Sequence, residues 1–140
     1  MNKAIEYSQN GDVNKALDLC EYGEKLSRDS KDDISLAQFL DIHVFVLLQG
    51  ISTHKIDISN LEKANKLNEE AIRLSENYHL NSTLTYCYRN KASILMQLGK
   101  YDEALKYFRE ALELLKKYDS TNTRSIKYVK SHIRILEELR

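Results

Sequence analysis

Proline is absent from this 140-residue chain, and glycine occurs only four times, at 11, 23, 50 and 99. A β-sandwich or a doubly wound sheet needs more turn-forming residues than that; a helical bundle or solenoid does not. Cysteine is scarce too: Cys20 and Cys87 stand far apart, with no CxxC or metal-ligand spacing. Both fall on the inward side of expected helices, where a reduced thiol behaves as a small hydrophobe. The glycines are too scattered for a phosphate-binding loop, and neither a GxSxG elbow nor an HExxH pair occurs. The histidines at 43, 54, 79 and 132 are dispersed, which argues against a metal site. Glu69-Glu70 and Glu137-Glu138 are adjacent pairs that point in different directions on a helix, so no carboxylate dyad is expected. These absences argue against catalysis and against a bound cofactor. No apolar run approaches the roughly 18 residues of a membrane span. The opening, MNKAIEYSQN, has no signal-peptide hydrophobic region. A cytoplasmic protein without a membrane role is the expectation.

What is present suits one domain of about 140 residues with a real core: 42% hydrophobic and 30% charged residues, with no net charge. The charge is unevenly spread. Residues 1–80 carry 9 Lys and Arg against 14 Asp and Glu, whereas residues 81–140 carry 12 against 7. Such polarity can steer a partner at low salt, or be simply a solvated surface.

Apolar residues recur at helical spacing along most of the chain. A short helix is expected over 2–9, and a second over 13–28 after the breaker Asn10-Gly11-Asp12. Gly23 inside that helix costs about 1 kcal/mol relative to Ala, which close packing against a neighbour would justify. The third helix, 34–49, is apolar on nearly all sides and should be buried from several directions; an interaction surface is the alternative. Residues 50–58 form the longest irregular connection, and Ser59 and Glu62 have the form of a capping box for a fourth helix ending near Tyr78. Asn81 or Ser82 can cap a fifth helix that ends at Gly99; a sixth runs over 101–118 and a last one over 123–139. The first helix begins part-way into the pattern, as a piece of a longer protein would.

The helices repeat. Gly11-Asp-Val-Asn-Lys-Ala16 matches Gly99-Lys-Tyr-Asp-Glu-Ala104, each with Gly at the turn and Ala five residues on. Leu61, Ala64, Asn68 and Ala71 match Tyr101, Ala104, Phe108 and Ala111, although Asn68 departs from an aromatic position. Within residues 88–112, Tyr88, Asn90, Ala92, Leu95, Gly99, Tyr101, Ala104, Phe108 and Ala111 carry a resemblance to the tetratricopeptide repeat (TPR). The resemblance implies an all-α, right-handed stack of antiparallel helical hairpins with about seven helices: hairpins 2–28, 34–78 and 82–118, then the last helix. Residues 1–140 then form a single TPR-like domain. Ala64 and Ala104 lie 40 residues apart, against the family's roughly 34. That resembles the longer repeats of bacterial signalling and transcription regulators. Lys116 stands where the family usually has Pro, and the register of the third helix stays open by several residues.

The resemblance also implies a binding surface, because the first helix of each TPR hairpin lines a groove. The matching positions are Tyr86, Arg89, Asn90, Ser93, Met96 and Gln97. Arg89 and Asn90 can hold a peptide carboxylate or backbone, with Tyr86 and Met96 as apolar contacts. The clamp that some family members close on chaperone tails is not reproduced, since Met1 and Ile5 stand at its first-repeat positions. On the last helix Arg124, Lys127, Lys130 and Arg134 share one side, as a basic stripe toward an acidic surface or as a solvated face. A neutral chain with one such stripe argues against nucleic acid. The broad apolar side of that helix is a candidate contact for a second copy or a following domain. The expected function is non-catalytic binding of a protein or peptide, as an adaptor or regulatory module. The alternative is a ligand-sensing or dimerisation module of a larger bacterial regulator.

Overall fold

The computed structural model describes residues 3–139. Seven α-helices follow one another in the described residues: α1 (Lys3–Gln9), α2 (Val13–Asp29), α3 (Asp33–Ser52), α4 (Leu61–Asn77), α5 (Asn81–Gln97), α6 (Tyr101–Tyr118) and α7 (Thr123–Leu139). Residue 2, the expected start of the first hairpin, and Met1 lie outside the described residues. Each helix packs on the next, and the odd-numbered helices also meet, α1 on α3 and α3 on α5. The odd helices therefore form one layer and the even helices an outer one, as in a solenoid of hairpins.

Small residues set the spacing. Ala16, Ala64 and Ala104, the matched positions of the repeat, are all fully buried. Gly23 is buried against the Phe39 ring, and a Cβ there would lie 2.3 Å from Phe39 Cε1. This close approach explains a glycine inside α2 despite its helix penalty.

Five of the six connections share one geometry. Gly11, Lys31, His54, His79 and Gly99 each have positive φ, between 54° and 85°. The residue after each donates its backbone N–H five residues back: Asp12 to Tyr7, Asp32 to Ser27, Lys55 to Gly50, Leu80 to Ser75 and Lys100 to Leu95, at 2.7–2.9 Å. These are Schellman-type stops, in which one left-handed residue satisfies the last carbonyls of a helix. Glycine marks two of them in the sequence.

Three local expectations are corrected. The connection after the third helix is shorter, because α3 continues to Ser52. Gly50 stays helical there, with Ile56 packed so closely that a Cβ would lie 2.4 Å from its Cδ1. The capping box at Ser59 does not form: the chain enters α4 through a 3-10 turn, Ile58–Asn60, and the Ser59 hydroxyl donates to Asp57 at 3.0 Å. Neither Asn81 nor Ser82 caps α5; both lie within it, and Leu80 holds the cap position without a side-chain bond.

α3 is the centre of the stack. Leu36, Ala37, Leu40, Val44, Val46, Leu47 and Ile51 are all buried, shared between clusters that include α2, α4 and α5. At 20 residues and a mean hydropathy of 1.6 it is long and apolar enough to cross a membrane, contrary to the expectation from uninterrupted runs. Asp41 and His43 break the run while the average stays high, and the helix lies against α2, α4 and α5 as a core element. His43 is itself buried, with Nδ1 2.6 Å from Glu24 Oε2 of α2. Asn68, the departure at an aromatic position, is buried and donates from Nδ2 to the Cys87 carbonyl at 3.0 Å. Cys20 and Cys87 are free and buried, and burial pushes both thiols up, Cys20 to about 12.

Candidate functional site

The inner layer leaves a groove between α3 and α5. Both helices present successive turns to it: Gln38, Phe39, Asp41 and Ile42 face Ser82, Thr83 and Tyr86 around a cavity of about 280 Å³. Further along, Phe45, Leu48, Gln49 and Ser52 face Arg89, Asn90, Ser93, Met96 and Gln97 around one of about 320 Å³, with Tyr128 and His132 of α7 contributing to its wall. The spacing of these positions, three or four apart on each helix, is what an amphipathic helix presents to one side.

Five of the six expected α5 residues thus line one cavity, and Tyr86 lines the adjoining one. Arg89 sits between two tyrosines. Its guanidinium carbon lies 4.1 Å from the Tyr128 ring centre and 5.3 Å from that of Tyr86, within the range of cation–π attraction. Arg89 has no ion-pair partner within reach among the described residues, and its Nε is buried without a hydrogen bond. The expected pairing of Arg89 with Asn90 as equal donors to a ligand changes. Asn90 is buried, and its Nδ2 donates to Asp41 Oδ1 at 2.9 Å. One N–H of its amide thus goes to α3, where it orients a carboxylate, while Asn90 still lines the cavity.

Asp41 is the residue that sequence reasoning missed. Burial pushes its carboxyl up to about 7, while the Arg89 charge and the Asn90 bond pull the other way. An aspartate in the middle of the most apolar helix was the available signal, since a buried carboxylate requires partners. α7 was missed as a wall of the groove for another reason: Tyr128 and His132 arrive from 39 or more residues beyond Arg89, and no local pattern reports that meeting. The two α7 rings stack at 4.2 Å between centres, and His132 also meets Phe108 at 5.2 Å.

Arg124, Lys127, Lys130 and Arg134 are exposed on α7 and engage in no ion pair among the described residues. Of the apolar α7 residues, Val129 and Leu136 are buried, whereas Tyr128, Ile135 and Leu139 are 39%, 48% and 55% exposed. Ile5, at a clamp position, is half-buried; Met1, at the other, lies outside the described residues. Among the described residues, no group of three or more His, Cys, Asp or Glu side chains converges as a metal site would need.

Comparison with known proteins agrees with the geometry. Residues 85–118, covering most of α5 and all of α6, match the family model of the tetratricopeptide repeat. No solved structure matches the chain. Residues 85–118 thus carry a tetratricopeptide repeat, and the all-helical hairpin stack around them is consistent with a solenoid of that type.

Proposed function

We propose that the chain is a non-catalytic adaptor or regulatory module that binds a peptide segment of a partner protein along the α3–α5 groove. One observation carries this reading: Arg89, Ser93, Met96 and Gln97 share a cavity with Phe45, Leu48 and Tyr128. Apolar walls, a few amides and hydroxyls, and one unpaired cation are the lining that a peptide requires. The Arg89 guanidinium, held by tyrosine faces rather than by a carboxylate, supplies a charged donor to a ligand acceptor. The free Cys20 and Cys87 fit a reducing, cytoplasmic setting. Selection of short random peptides on the immobilised chain tests the reading. Binders that lose affinity with Arg89→Glu support it, and binders indifferent to that change sink it.

The second reading, a dimerisation module of a larger bacterial regulator, draws on the exposure of Ile135 and Leu139 on α7. The 40-residue spacing of Ala64 and Ala104 supports the longer-repeat comparison. Light scattering over a salt series separates the two. Self-association that Ile135→Glu abolishes favours dimerisation through α7, and a strict monomer at high concentration removes it.

A further inference from the structure

Resting on the groove reading above, we infer that the groove has a second, oppositely charged subsite: Asp41 receives a lysine or arginine side chain of the bound peptide. Asp41 lines the smaller cavity with Phe39, Ile42 and Tyr86, next to the wall that carries Arg89. One carboxylate oxygen, Oδ1, takes the Asn90 N–H at 2.9 Å. The other, Oδ2, accepts no hydrogen bond among the described residues, and Asp41 is among the residues that line the cavity. The rest of that cavity is uncharged: Gln38, Ser82 and Thr83 offer polar groups, and the Tyr86 ring offers an aromatic face. A carboxylate, a neighbouring aromatic ring and apolar walls form the environment that suits a cation on an aliphatic stem.

The surrounding charges favour a cation at this position over an anion. From α5, Arg89 and Cys87 are the titratable groups whose fields couple to Asp41, with Tyr86 across the cavity; α3 adds the uncharged Gln38, Phe39 and Ile42. The Arg89 guanidinium does not pair directly with Asp41 among the described residues, and it lies over the rings of Tyr86 and Tyr128. Asp41 therefore lacks a directly paired cation, although the Arg89 charge acts on it from beyond ion-pair distance, and burial pushes its carboxyl up to about 7. A ligand ammonium or guanidinium supplies that counter-charge and favours the ionised form. Binding then releases a proton, so affinity for a basic peptide rises with pH through neutrality. A peptide with a basic residue at Asp41 and an acceptor at Arg89 fits both subsites at once.

The test repeats the random-peptide selection on the wild-type chain and on Asp41→Asn, whose amide oxygen still accepts from Asn90. The expected result is a Lys or Arg at one fixed position of the wild-type binders, absent from those selected on Asp41→Asn. For one such peptide, Asp41→Asn and replacement of its basic residue by Ala should each weaken binding about 10-fold or more. The two changes together should cost little more than either alone, and wild-type affinity should rise with pH. Binders that depend on Arg89 but carry no fixed basic residue, or bind Asp41→Asn equally well, overturn the subsite and leave the groove standing. A selection without Arg89-dependent binders overturns both.

Discussion

Asn90 Nδ2 donates to Asp41 Oδ1 at 2.9 Å, joining two residues 49 apart in sequence across the seam between α3 and α5. The bond ties the clearest repeat to the most apolar helix of the chain. It also fixes the orientation of a carboxylate that burial holds well above its usual range.

Asp41 makes stability depend on pH. Its carboxyl titrates at about 7 in the folded chain and near the ordinary value of about 3.9 when unfolded, so between these limits the folded state binds more protons. Stability should fall as pH rises from about 4 to about 7, by on the order of 2–4 kcal/mol from this group. Asp41→Asn should flatten that slope and melt higher than wild type above neutrality. Urea denaturation across the pH range checks both outcomes.

Glu24 and His43 depend on each other. The pair is buried at 2.6 Å, and the other ring nitrogen, Nε2, has no hydrogen-bond partner. Glu24→Ala leaves the imidazole unpaired and should cost roughly 1–3 kcal/mol. Replacing both residues by Leu should recover much of that loss, because an apolar pair of suitable volume needs no partner. Chemical denaturation of the single and double variants measures the difference.

The left-handed turns at Lys31, His54 and His79 hold side chains where glycine is favoured. A non-glycine residue in that conformation costs roughly 1–2 kcal/mol. Substituting Gly at any one of these exposed positions should therefore raise the melting temperature. At Gly11 and Gly99, which already have positive φ, substitution by Ala should lower it.

Ala104 has no exposed surface and lies where α6 approaches α5. Ala104→Leu should overpack that contact and cost roughly 1–3 kcal/mol. A melting curve that does not move would contradict the repeat register.

Much of this was legible in the sequence because the repeat reports itself. Gly11 and Gly99 mark their turns, and Ala16, Ala64 and Ala104 mark close approaches that recur at matched positions. The turns at Lys31, His54 and His79 were not legible as left-handed stops, since exposed polar residues there carry no signal of backbone conformation. The α5 side of the groove followed from the repeat register. Its α3 side did not, because the connection at 50–58, with no matching turn Gly at its end, left the third helix without a fixed register. The role of Asn90 changed for the same reason: its partner Asp41 is local to nothing in the repeat.

The most direct measurement maps a selected peptide onto the chain by backbone amide NMR shifts. The largest changes are expected at Phe45, Arg89, Ser93, Met96 and Gln97, with Asp41 and Tyr86 joining them for a basic peptide, and little change on the outer faces of α2, α4 and α6. Changes confined to the exposed side of α7, around Ile135 and Leu139, would contradict binding in the groove.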